Sequence, residues 1–429
     1  LHFASTCHAG LSGRKERGGR IVDGVTVEDF AMNVALSRRR DYAGPALFSY
    51  GFRPFFLGAG LWAAFGILLW MPQYYGNIAL PTAFGALDWH IHEMLFGYVA
   101  ATIAGFLLTA VPNWTGRLPV NGWPLAGLAA LWLAGRVAIA TSALIGPALA
   151  AVIDVAFLVA LAGVAGREIV AGKNWRNLRV LIVVSVLAAG NIVFHVEAIR
   201  NGAADYGVRL SLGAVILLIS LVGGRIVPSF TNNWLARNNP GRLPVPFSRF
   251  DALCIASGAV AIAAWVIAPL HVATGALLAL AGLAHLARLA RWAGDRTFSD
   301  RLVLVLHAAY AFVPVGFLLL AAAVFRPSIP PSAGIHAWTA GAIGMMTLAV
   351  MTRASLGHTG HALAASAGTQ AIYAFALLAA LLRIAGALTG GALLIDLAAG
   401  AWVAAFGGFV IAYGPLLAMR RPSWEQGRA

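Results

Sequence analysis

Histidine is the residue type in this chain that stands where apolar residues belong. Eleven are present, and most interrupt or border long apolar runs. The densest interruption is Leu87-Asp88-Trp89-His90-Ile91-His92-Glu93-Met94. An imidazole can ligate iron or copper, and a carboxylate beside it can orient it or carry a proton. On a helix His90 and Glu93 are three residues apart and share a face. His92 points about 200° away from His90. A regular helix would therefore send one imidazole to a haem iron and the other to a second site. A distorted first turn would let both converge. Asp88 could cap the start of that helix.

Two further runs carry the same chemistry. Asn191 and His195 lie four apart near the end of one apolar run. His336 opens another and is followed by Trp338, Gly341 and Gly344, whose two glycines would leave a groove for a flat macrocycle or a neighbouring helix. These residues, with His90 and His92, fall near one membrane depth. A second group falls near the other side: His307 with Tyr310, His285 with Arg288, and His358 with His361, with Arg53, Arg225 and Arg353 at the same level.

A lone histidine in a membrane span is ordinarily a hydrogen-bonded packing residue. Four imidazoles and a carboxylate at one depth favour a metal or haem. His271, His285 and His361 sit at the ends of runs and read as interfacial. Arg53 and Arg353 either snorkel to the interface or pair with haem propionates, for which a guanidinium is suited. Asp154 and Asp396 each interrupt a run once, as ion-coupling carboxylates or as protonated packing residues. Calcium or magnesium would need more oxygen donors. The two cysteines, Cys7 and Cys254, form no C-x-x-C-H motif, which excludes covalently attached haem.

The elements that must position these residues follow from composition. The chain has 429 residues, 60% hydrophobic and 11% charged. Soluble domains carry about 25% charged residues, so a soluble enzyme, a disordered chain and a secreted disulfide scaffold are excluded. Runs of apolar residues occur at about 47–71, 87–111, 123–144, 147–166, 178–199, 208–227, 249–268, 271–290, 302–324, 335–353, 369–389 and 392–418. Each is long enough to cross a bilayer as a helix, so the fold class is all-α, a polytopic membrane protein of twelve spans. With the N-terminus inside, 24 of the 30 Lys and Arg fall on the cytoplasmic side, 3 on the opposite side and 3 within spans. That bias predicts N-in and C-in and accounts for the +14 net charge without a nucleic-acid partner. A Pro-rich connector is expected over 225–249. Residues 1–45 read as a polar segment, disordered or the product of a misplaced start, with Met32 as good a start as Leu1. Residues 46–418 form the transmembrane domain and 419–429 a cytoplasmic tail. No 6+6 repeat is legible.

Four strings are long enough to carry a family resemblance: Phe52-Arg53-Pro54-Phe55-Phe56, LDWHIHEMLFGYVAATIAGFLLTAVPNWTG (87–116), GGRIVPSFTNNW (223–234) and HAWTAGAIGMMTLAVMTRASLGHTG (336–360). The chain resembles the NnrS family of bacterial inner-membrane proteins over roughly residues 46–418. The resemblance implies a multi-pass protein that holds haem b and copper and is linked to nitric oxide stress and denitrification. Its motifs contain His90, His92, Glu93, His195, His307, His336 and His358. His361 stands where a basic residue, commonly Arg, is expected.

The resulting expectation is an outer metal or b-type haem site from His90, His92, His195 and His336, with Glu93 orienting a ligand or carrying a proton. His307 and His358 would form a second, inner site, with Arg53, Arg225 and Arg353 around propionates. Nitric oxide is the expected small-molecule ligand and membrane lipid the surrounding partner. Rival readings are a secondary transporter using intramembrane carboxylates and a non-catalytic NO-binding protein. Whether the protein is an enzyme, and its oligomeric state, stay open.

Overall fold

The computed structural model describes residues 42–420; the expectations for residues 1–41 and 421–429 lie outside them. Twelve helices are long and apolar enough to cross a membrane. They are α1 (Phe52–Tyr74), α2 (Ala86–Thr115), α3 (Gly122–Ala140), α4 (Pro147–Ala171), α5 (Trp175–Asn201), α6 (Tyr206–Asn238), α7 (Arg249–Ile267), α8 (Val272–Arg296), α9 (Arg301–Phe325), α10 (Pro331–His358), α11 (Ala367–Thr389) and α12 (Ala392–Ala418). Helices satisfy every backbone group within one segment, which lipid cannot do for them.

Packing repeats at a shift of four helices. α1 packs on α2, α5 on α6 and α9 on α10. Likewise α3 packs on α4, α7 on α8 and α11 on α12, and α4 meets α5 as α8 meets α9 and α12 meets α1. The chain thus runs as three arcs of four helices. The second helices of the first and third arcs lie inside: the most apolar stretch of α2 is 83% buried and that of α10 is 72% buried, against 33% for α4, α7 and α12. The outer helices carry the exposed large apolar side chains, such as Leu149 and Val152 on α4, Leu253 and Ile267 on α7, and Leu393 and Ile411 on α12. Apolar surface on that scale marks a lipid-facing protein.

Two details differ from the sequence reading. The connector expected over 225–249 is mostly helix, because α6 continues through Pro228 to Asn238. A proline removes one helical hydrogen bond, a loss that neighbouring groups can make good; just beyond it Thr231 bonds back to the Val227 carbonyl. Asp88 lies in the first turn of α2, but the cap position is Gly85 and no side chain caps the helix.

The inner helices α2 and α10 share a feature. Each begins as a short α-helical stretch ending in a histidine, then widens into a π-helical segment, Glu93–Val99 after His92 and Ala337–Gly344 after His336. Such segments inside α-helices concentrate at functional sites.

Candidate metal centre and adjoining cavity

The four histidines expected at one depth divide between two compartments on either side of α2. His92 points between α3, α4 and α5. Its Nε2 lies 3.1 Å from Asp154 Oδ2, and His195 Nε2 lies 3.1 Å from the same oxygen. Asn191 donates to that oxygen at 2.8 Å. His92 Nδ1 lies 3.0 Å from Glu93 Oε1. Arg136 reaches from α3 to both carboxylates: Nη1 donates to both Glu93 oxygens at 2.8 Å and Nη2 to Asp154 Oδ1. Trp62 of α1 also donates to Glu93, at 2.6 Å. Donor atoms of His92, Asp154 and His195 all lie within 4.8 Å of one another, and no other such group of three occurs among the described residues. The three side chains are buried.

Two glycines make room for this centre. A Cβ on Gly97, in the π segment, would come within 2.9 Å of Arg136 Nη1. A Cβ on Gly135 would come within 3.1 Å of Asp154 Oδ1. Phe84, Phe96 and Phe194 surround the His92 ring, with centroids 5.8, 5.1 and 5.2 Å away.

His90 turns the other way. Its ring stacks on Trp70 of α1 at 4.0 Å and lines a cavity of about 460 Å³ shared by α1, α2, α6, α10, α11 and α12. His336 lines the same cavity, as do Tyr98, Arg383 and Trp402. His336 Nδ1 donates to the Ser332 carbonyl at 2.7 Å, which leaves its Nε2 as the lone-pair nitrogen. His90 Nδ1 is buried with no hydrogen-bond partner. The groove expected at Gly341 and Gly344 is filled by neighbouring rings: Phe312 of α9 sits over Gly341 and Trp402 of α12 over Gly344.

The residues expected at an inner site make separate contacts. His307 Nε2 lies 2.7 Å from Thr231 Oγ1. His358 packs beside the rings of Tyr50 and Phe52. Arg53 donates to the carbonyls of Leu416, Leu417 and Met419 at the end of α12. Arg225 donates to Asn177, and the Arg353 guanidinium lies 4.1 Å from the Phe230 ring centre.

Of the three histidines read as interfacial, His271 caps α8 by accepting from the Ala273 amide, and His361 is exposed. His285 is instead wholly buried. It lies 2.9 Å from the Tyr310 hydroxyl, which also accepts from Arg288, and Arg288 pairs with Asp251 at 3.2 Å. His285 lies five residues inside the end of the regular helix at Ala290, on the face turned to Tyr310 and Phe317, and is buried there rather than at the interface.

Sequence reading named Asp154 without a partner and placed Arg136 only as a charge within a span. Their pairing had a signal. Two opposite charges in consecutive spans, each expensive alone, are expected to meet. Arg383 and Asp396, in the last two spans, give the same signal, yet Asp396 accepts from Tyr75 and Arg383 turns into the cavity; Trp62 gave no signal.

The fold and this centre define a multi-pass helical membrane protein with a buried imidazole–carboxylate cluster beside a large apolar cavity. The family model described as NnrS protein matches residues 46–421, and the chain belongs to the NnrS family. A search of curated proteins finds no match.

Proposed function

We propose that this protein holds haem b in the cavity through His90 and His336 and copper at His92, Asp154 and His195, and that it binds or detoxifies nitric oxide in the bacterial inner membrane, with both termini cytoplasmic. The observation that carries the reading is the facing of His92. Both its nitrogens meet carboxylate oxygens, at 3.0 and 3.1 Å. A neutral imidazole has one N–H, so one of these contacts calls for a cation, either a proton on the ring or a metal against Asp154. Formal charge agrees. Asp154 and Glu93 bring two negative charges and Arg136 one positive, so the cluster carries one surplus negative charge when both imidazoles are neutral. Two imidazoles and a carboxylate are a donor set that copper accepts.

The cavity fits a macrocycle by its chemistry. Two imidazoles enter it, Trp70 and Trp402 supply flat apolar walls, and Arg383 offers a guanidinium to an acidic group. Haem iron and copper, when bound, would supply one-electron chemistry and metals to which NO can bind. The chain itself orients the ligands and excludes water. Asn191 and Arg136 fix Asp154, Trp62 and Arg136 fix Glu93, and three phenylalanines keep the copper-site imidazoles dry. NO is apolar and reaches such a site through lipid and the apolar cavity.

The test is an absorption spectrum with metal analysis on purified protein. His90→Ala and His336→Ala lose the Soret band and keep copper. His92→Ala and His195→Ala lose copper and keep the Soret band. A colourless, metal-free wild-type protein overturns the reading and favours a transporter in which Asp154 couples to an ion. NO consumption by the reduced, loaded protein separates an enzyme from a binding protein.

A further inference from the structure

The imidazole–carboxylate centre is closed in this conformation. His92 is 0% exposed, and His195 and Asp154 are each 2% exposed. An ion can enter or leave such a site only through a local opening. The polar surroundings of the centre offer one thin wall. Between α1 and α2, on the face opposite the start of α1 and the end of α12, residues 76–85 form a mainly exposed non-helical loop. Phe84 is its one buried residue. Its ring lies parallel to His92 at 5.8 Å and within 5.9 Å of both His195 and Phe194. Its chain neighbours Ala83 and Gly85 are exposed. The Phe84 ring is thus the part of this exposed loop that packs on both imidazoles.

The loop is held shut at one point. Ser142, wholly buried at the break after α3, accepts from the Ala83 amide at 2.8 Å and lies 3.1 Å from Thr82 Oγ1. Its own hydroxyl is anchored on the Ile139 carbonyl at 2.9 Å. The Ala143 amide donates to the Pro81 carbonyl at 3.0 Å. Away from the loop, the centre is backed by Arg136, Trp62 and the packed helices α1 to α5.

We propose that the 76–85 loop is the port through which the metal of this centre is exchanged with the aqueous phase, with Phe84 as its plug and Ser142 as its latch. The proposal rests on the reading that His92, Asp154 and His195 hold copper. The port belongs to the face opposite the start of α1 and the end of α12, so metal is supplied and withdrawn from that side of the membrane. Exposed loops are the segments that open at least cost, and moving this one leaves the ligand-bearing helices in place.

The experiment uses full-length protein, loaded with copper and reconstituted in vesicles, and a membrane-impermeant Cu(I) chelator added on the loop face. Extraction from wild type is slow. Phe84→Ala speeds it by about tenfold or more, and Ser142→Ala speeds it to a lesser degree. Phe96→Ala, which removes a ring of the same cage from the buried helix α2, has a smaller effect than Phe84→Ala. Helical content and the Soret band of each variant report the fold. Copper-loaded wild type with unchanged extraction in both loop variants overturns the port while leaving the metal assignment standing. Equal acceleration by Phe96→Ala, or extraction only from the opposite face, also overturns it. Wild type that takes up no copper overturns the metal assignment itself.

Discussion

His90 and His92 stand two residues apart on one helix and open onto different compartments. His90 stacks on Trp70 at the wall of the cavity, and His92 meets Asp154 and His195 on the far side of α2. The stretch Ala86–His92 is regular α-helix, so a separation of two residues turns the rings about 200° apart. Glu93, three residues beyond His90, turns to the His92 side, where its carboxylate meets His92 Nδ1, Arg136 and Trp62. One turn of one helix therefore walls two pockets.

That separation makes the two centres independently removable. The double variant His90→Ala/His92→Ala should lose haem and copper by the sum of the single losses, because neither imidazole contributes to the other pocket. Haem content and copper content per chain, measured on the two single variants and the double, check this. Copper loss in His90→Ala equal to that in His92→Ala would mean that the pockets are one site.

Arg136 should behave as the keystone of the first pocket. It is 2% exposed and pairs with both Glu93 and Asp154. Arg136→Met leaves two buried carboxylates without their cation, which is expected to cost about 3–5 kcal/mol. The added change Glu93→Gln should recover part of that cost, since one unpaired charge disappears with it. Thermal unfolding of the two single variants and the double in detergent gives the coupling. Additive losses would show that the pair does not interact.

The second pocket has its own weak point at Gly344. A Cβ there would stand 2.6 Å from the Trp402 ring, and Trp402 is held by a 2.9 Å bond from its Nε1 to the Ala63 carbonyl. Gly344→Val should drive that ring into the cavity and lower haem occupancy while copper stays bound. Haem and copper assays on one preparation check both halves of the expectation. Loss of copper in parallel would mean general unfolding.

The twelve spans were legible because bilayer length imposes about twenty apolar residues per helix. Which face of each helix looks inward was not. Lipid and protein interior are both apolar, so the contrast that orients a helix in a soluble protein is missing. This is why the three-arc packing, with α2 and α10 inside, is visible only in three dimensions. His90, His92, His195 and His336 stood out because polar groups are costly in a span, but their division into two compartments depends on which neighbours surround α2. Arg136 and Asp154 were visible as opposite charges in consecutive spans, but that Glu93, His92 and His195 gather on the same pair was not. Phe84 carried no signal, since a phenylalanine in a loop is ordinary until its ring is found against two imidazoles. The extent of α6 was misjudged for a local reason. Pro228 reads as a stop, yet the turn beyond it is anchored through Thr231 to His307 on α9 as well as to Val227.

Arg383 supplies the last prediction. It lines the cavity that His90 and His336 enter, at the end where Tyr74, the last residue of α1, also borders the space. A guanidinium there can make a bidentate pair with a carboxylate, whereas a lysine ammonium in the same place acts as a point charge without the fork geometry. Arg383→Leu should therefore weaken haem retention strongly, and Arg383→Lys should restore only part of it. A hydrogen bond to a charged group is worth about 1.5–3 kcal/mol, which corresponds to a loss of affinity of roughly tenfold or more. Haem titration followed at the Soret band, with the rate of haem transfer to an apo-globin acceptor, measures both variants. Copper content should not change in either, because Arg383 lies on the His90 side of α2 and Asp154 on the other. Wild-type haem affinity in Arg383→Leu would remove the guanidinium from the haem pocket and leave the two imidazoles as its anchors.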